Sequence, residues 1–199
     1  MRLVLAVFAI VACLLFAMQP SRAETRVSPL SAPAPGVNIE IPTLTGRVVD
    51  QTATLSNDQA ATLERKLRDF EKRKGSQVAV LIVPTTLPES IEQYSLRVAN
   101  QWKLGRKNID DGVLLAIAMN DRKLRIEVGY GLVAVLDDFS AKRIIDGVIV
   151  PRFKLGNFAE GVSEGVDRIL EAIDAAPVPA TNTLPGPKLP QQIRRSQYN

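Results

Sequence analysis

Histidine is absent from all 199 residues, and cysteine occurs once, at Cys13. Without histidine there is no Ser-His-Asp or Cys-His catalysis, no His-ligated zinc and no imidazole acid or base. A single thiol allows no intramolecular disulfide and no CxxC site. Aromatic residues make up only 5% of the chain, too few for a base-stacking platform, so nucleic acid is not an expected partner. Any chemistry must therefore run on carboxylates, hydroxyls, Lys or Arg, and the backbone.

Long hydrophobic runs are missing too, with one exception. Leu3 to Met18 is unbroken and apolar, and it explains most of the mean hydropathy of +0.04. Met1-Arg2 precedes it, Gln19-Pro20 breaks it, and Ser21-Arg22-Ala23 offers small residues before a cleavage point. These are the three parts of a secretory signal peptide, assigned to 1–23. A membrane anchor is the alternative, but the run is short of the roughly 20 residues a spanning helix needs. Ile10-Val11-Ala12-Cys13 also fits the pattern before a lipidated cysteine, although the apolar run continues past it. Cleavage near Ala23 leaves a mature chain without thiol or transmembrane helix, suited to the periplasm or secretion.

Prolines then mark the boundaries. They crowd 20–42 and 177–190, with only Pro84, Pro88 and Pro151 between. Pro-rich stretches act as extended linkers, so 24–42 reads as a linker, 43–176 as the folded domain and 177–199 as a disordered basic tail. Six of the basic residues (Arg2, Arg22, Arg26, Lys188, Arg194, Arg195) and two of the acidic ones (Glu24, Glu40) fall outside the domain, which is left formally neutral. The pI of 9.4 thus belongs to the tails and is weak evidence for a polyanionic partner.

Within the domain, Ser56 reads as the N-cap of a helix whose apolar positions Ala60, Leu63, Leu67 and Phe70 share one face, ending at Gly75. Gln77 to Pro84 and Val113 to Met119 read as buried strands. Glu89 to Leu104 is a helix between them. Leu124, Ile126 and Val128 alternate with Arg125 and Glu127, so a half-exposed strand closes a hairpin. Phe139 to Phe153 and Asn157 to Asp174 are two further helices, and a short first strand precedes Asp50. Buried strands flanked by helices imply an α/β fold, a three-layer α/β/α sandwich with a mixed sheet of about four strands.

Gly129-Tyr130-Gly131-Leu132-Val133-Ala134 matches GxGxxA. The strand before it closes a hairpin rather than opening a βαβ unit, and 148–151 reads as helix where a ribose-binding acid should follow, so no nicotinamide cofactor is expected. Asp110-Asp111-Gly112 opens a buried strand, where adjacent carboxylates serve a turn or a hard cation. Asp137-Asp138 precedes a helix, one of the pair as its N-cap, and Asp50 lies just after the first short strand, alone an ordinary turn residue. Should loops converge on a common rim, Asp50, Asp110, Asp111 and Asp138 would select an oxygen-bound divalent cation over zinc or copper.

The ordered set Gly46-Arg47-Val48-Val49-Asp50, Asp110-Asp111-Gly112-Val113, Arg125-Ile126-Glu127-Val128-Gly129-Tyr130-Gly131-Leu132, Leu136-Asp137-Asp138 and Gly156-Asn157-Phe158-Ala159 resembles the TPM domain family over the whole of 43–176. The resemblance implies an exported bacterial or thylakoid-lumen type of protein with an α/β/α fold. It implies a divalent cation, foremost Ca²⁺ with Mg²⁺ or Mn²⁺ as alternatives, on Asp50, Asp110, Asp111 and Asp138. It also implies one of two roles. One is a cation-binding interaction module in envelope protein assembly or quality control, docking on a membrane protein complex. The other is a metal-assisted acid phosphatase, with Arg122 or Arg125 holding the phosphate and no residue assigned as nucleophile. The chain departs from the family pattern at Val133-Ala134, where Glu-Gly is common, and at Asp137, where Thr is common. It also lacks the trailing membrane helix. The exported product is expected to begin at Glu24. Intact mass that retains residues 1–23 contradicts cleavage.

Overall fold

The computed structural model describes residues 39–175. The signal peptide, most of the linker and the basic tail expected from the sequence lie outside the described residues. The order is β1 (Val48–Asp50), α1 (Asn57–Lys74), β2 (Gln77–Val83), α2 (Ile91–Trp102), β3 (Gly112–Ala118) and β4 (Lys123–Val128). α3 (Asp138–Ile144), α4 (Val150–Lys154) and α5 (Phe158–Asp174) follow. The four strands form one mixed sheet in the order β1-β2-β3-β4. β1, β2 and β3 are parallel, and β4 returns antiparallel beside β3.

Strand alternation builds two cores. Val78, Val80 and Ile82 of β2, with Val113, Leu115 and Ile117 of β3, face α1 and the three C-terminal helices. Ala79, Leu81, Val83, Leu114, Ala116 and Ala118 face α2 on the other side. Both strands are buried along almost their whole length, which is why they read as continuous apolar runs rather than alternating ones. The three-layer α/β/α sandwich is therefore what the chain adopts.

One topological feature follows directly. The strands advance in one direction across the sheet, yet α1 covers one face and α2 the other. The β1–α1–β2 and β2–α2–β3 crossovers therefore have opposite hands. One of them is the uncommon left-handed kind, against the strong general preference for right-handed connections.

α1 starts as its sequence dictates. The Ser56 hydroxyl accepts from the Gln59 N–H, and the Gln59 side chain accepts from the Ser56 N–H, a reciprocal capping box. The Phe139–Phe153 helix differs from expectation. The helical run covers 138–154 but contains a wide turn at Ile145–Ile149. Pro151 has no N–H to give the preceding turn, and the wide turn takes up the mismatch.

The domain also begins earlier than Thr43. Ile41 is buried in the α2-side core. The Trp102 indole N–H donates to the Pro42 carbonyl at 2.8 Å, and the Arg97 guanidinium donates to the Ile39 carbonyl at 2.6 Å. Pro-rich composition marked a linker, but 39–42 is held as a strap across α2. Glu89 completes the clasp: it accepts from the Ile39 N–H and from Arg97.

The Arg97 hydrogen bond holds the Glu89 carboxyl below its ordinary value of 4.5, outweighing the opposing effect of burial, with the Ile39 N–H adding to it. A depressed carboxyl stabilises the fold above its unfolded value and loses that contribution as pH falls through the folded one. Glu89→Gln is expected to lower the melting temperature at neutral pH and to narrow its gap to wild type below about pH 4.5. A gap that stays constant with pH refutes the clasp.

Candidate functional site

A groove of about 920 Å³ runs along the end of the sheet where β3 begins and β4 ends. On one side lies the end of α2 with Lys103, Arg106 and Lys107. On the other lie Tyr130, Val133 and the Asp137-Asp138 start of α3. Arg125 and Glu127 of β4 form part of the floor, and Asp110 enters from the loop before β3.

Close backbone packing shapes this end. A Cβ on Gly129 would meet the Asp110 carbonyl oxygen at 2.2 Å, and one on Gly131 would meet the Ile109 carbonyl oxygen at 2.2 Å. The two glycines of the GxGxxA match therefore let the 109–110 backbone lie directly on the Gly-Tyr-Gly turn. Gly105 and Gly112 are pressed together in the same way, each leaving no room for a side chain. The hydrogen bonds agree: Gly131 N–H donates to the Asp110 carbonyl at 2.9 Å, and Tyr130 N–H donates to Asp110 Oδ2 at 3.0 Å. Asp110 has a left-handed backbone, with φ 57°, a conformation that Asp tolerates better than most residues.

Asp111 sits beside it in a different environment, with 0% of its surface exposed. Its Oδ1 accepts the Arg106 N–H at 2.8 Å, and its Oδ2 accepts Arg106 Nε at 2.8 Å and the Ser76 hydroxyl at 3.2 Å. Arg106 Nη2 lies 2.7 Å from the same Oδ2 but off the hydrogen-bonding line, so that part of the pairing is ionic. The positive partner of this carboxylate comes from within the chain.

The four aspartates expected to converge divide as follows. Asp50 ends β1 and pairs in register with Ile82, level with Ile117 of β3. Asp110 and Asp111 precede Gly112, five residues and on the order of 17 Å away along the sheet. Asp50 is occupied locally: it accepts the Thr52 N–H and hydroxyl and the Leu55 N–H, each at 2.8 Å, and so orders the β1–α1 turn. Asp111 is buried against Arg106. Only Asp110 and Asp138 reach the groove, joined there by Asp137.

Asp138 is 95% exposed, and its Oδ1 lies 3.9 Å from Arg125 Nη2. Asp137 caps α3 by accepting the Ser140 N–H at 2.8 Å, and this hydrogen bond holds its carboxyl below the ordinary value. Arg125 Nε also donates to Glu127, which accepts the Ser95 hydroxyl. Among the described residues, no group of three or more His, Cys, Asp or Glu side chains is placed to hold a metal ion. The donor chemistry, all carboxylate oxygen, suits Ca²⁺, but a single sphere of four aspartates does not form. Arg106 and Ser76 were missed in the sequence because nothing in their spacing marks them as partners of Asp111. Tyr130, 80% exposed at the groove's edge, is the other residue that the pattern of carboxylates did not reveal.

A mixed four-stranded sheet between two helical layers, with an acidic loop seated on a Gly-Tyr-Gly turn at one end, defines an α/β/α sandwich of a particular kind. The family model of the TPM domain matches residues 48–172, and the chain belongs to that family. It is similar to the N-terminal domain of a Porphyromonas gingivalis protein solved by NMR. That match has 33% identity and a TM-score of 0.63, and covers 67% of this chain and 88% of that one. Two further NMR structures share the fold. The BA42 protein of the psychrophilic Bizionia argentinensis is 22% identical with TM-score 0.54, covering 62% of this chain and 84% of that one. The N-terminal domain of a Corynebacterium glutamicum protein is 12% identical with TM-score 0.52, covering 69% and 86%. No curated protein sequence matches the chain.

Two substitutions test how the site is held. Asp111→Ala strands the Arg106 guanidinium and is expected to cost about 3 kcal/mol in denaturant unfolding. Gly131→Ala must push the 109–110 backbone away and is expected to destabilise by about 2 kcal/mol. Wild-type stability in either variant refutes the packing described.

Proposed function

We propose that this TPM domain is an exported interaction module, acting in envelope protein assembly or quality control, that docks a partner protein in the groove at the β3 start. One observation carries the reading: three exposed large apolar side chains, Leu96, Tyr130 and Val133, at 52%, 80% and 44%, line the groove between a basic wall and an acidic one. Apolar surface rimmed by both charges is typical of protein contact sites.

In this reading a divalent cation enters with the partner rather than as a resident ion. Asp110 and the Asp137-Asp138 pair supply carboxylate oxygens from two elements, and water or partner oxygens complete the coordination. Asp50 and Asp111 have no part in it. The lining contains no His, Cys, Ser or Thr, and its exposed apolar side chains favour docking over the phosphatase alternative, for which Arg125 would hold the phosphate.

A photo-crosslinking residue placed at Tyr130 in cells is expected to capture a discrete envelope protein, whereas the same residue at exposed Leu155 is not. Chelation of divalent cations or Asp110→Asn is expected to weaken that capture. Equal labelling at both positions, or none at Tyr130, overturns the reading. Labelling indifferent to chelator and to Asp110→Asn removes the cation from it.

A further inference from the structure

We infer that a second site lies at the other end of the sheet: a cleft that binds a single-chain anionic amphiphile, with its tail among apolar side chains and its acid head on Arg122 and Lys154. The cleft is about 570 Å³ and opens between the β3–β4 turn and the corner joining α4 to α5. This is within the usual size of small-molecule sites. Met119, Leu124 and Val150 line it, and Phe153 and Phe158 form one wall, their rings edge to face at 5.1 Å. Phe158 remains 36% exposed, so apolar surface is available at the mouth.

The charge is one-sided. Arg122, Lys123 and Lys154 line the cleft, and no acidic residue does. Most cations of the domain are in ion pairs with a carboxylate: Arg47 with Glu71, Lys66 with Asp167, Arg97 with Glu89, Arg106 with Asp111, Arg152 with Glu164. Among the described residues these three cations form no ion pair. Lys123 borders the cleft, but its side chain points opposite to that of Leu124, toward the α2 face, where Glu92 feels its charge together with that of Arg125. Arg122 and Lys154 beside apolar walls leave positive charge without a carboxylate partner, and a bound anion neutralises it.

The occupant is a fatty acid carboxylate rather than a bilayer lipid. The cleft is concave, and the cations Arg122 and Lys154 border it together rather than spreading over a flat face. A diacyl lipid would leave its second chain outside.

Calorimetric titration of the purified protein with octanoate, decanoate and dodecanoate, each below its micelle concentration, tests this. Affinity is expected to rise about fourfold per added methylene until the cleft is filled. Dodecanol, with the same tail and no charge, is expected to bind at least about tenfold more weakly. The double variant Arg122→Gln/Lys154→Gln, both surface positions, is expected to lose about tenfold for dodecanoate. Phe158→Ala is expected to flatten the chain-length series while circular dichroism stays native. Failure of dodecanoate to bind, equal binding of dodecanol, or an unchanged affinity in the double variant each overturn the proposal. So does binding confined to phosphatidylglycerol vesicles and unaffected by Phe158→Ala, which would reveal surface attraction to a bilayer.

Discussion

The buried carboxylate of Asp111 governs the geometry of the groove. An isolated charge at 0% exposure is untenable in a protein interior. Here the Arg106 backbone and guanidinium, with the Ser76 hydroxyl, satisfy both of its oxygens. Because Arg106 and Asp111 are only five residues apart, the pairing folds the 106–111 loop back on itself. The Gln77 N–H donates to the Asp111 carbonyl, tying the same loop to the start of β2. That leaves Asp110 turned outward on a left-handed backbone, over two glycines whose lack of side chains lets it lie there. The groove is thus positioned by a carboxylate that never faces it.

Much of the architecture was legible from residue patterns because the signals were local. The apolar runs at 77–83 and 112–118, the capping residues at Ser56 and Asp137, and the alternation in β4 each report on their own neighbourhood. Convergence of the aspartates was not local, and it divided along a simple rule. In parallel strands, a residue that ends one strand and a residue that begins the next lie at opposite ends of the sheet. Asp50 follows β1, Asp110 and Asp111 precede β3, and the two strands run the same way. Asp138 escaped that separation because β4 is antiparallel and carries the chain back to the end where β3 starts. The Asp111–Arg106 pairing had no sequence signal, since most Arg–Asp neighbours in a loop are solvated. The 39–42 strap was hidden by its proline-rich context, although Ile39 and Ile41 alternate as an edge-packed segment would.

The two ends of the sheet differ in character. At the end where β3 starts, acidic and basic side chains alternate with exposed apolar ones, and the surface is broad. At the opposite end a smaller, more apolar recess carries only positive charge. Family membership fixes the scaffold that holds both; the residues at each end decide what is recognised there.

The opposed hands of the two crossovers decide how the sheet is layered. Consecutive connections of one hand, stepping across the sheet in one direction, would set α1 and α2 side by side and leave the opposite face bare. In this domain α1 and α2 occupy different faces, so two successive helices roof and floor the same three parallel strands, and β2 and β3 can be apolar on both of their sides.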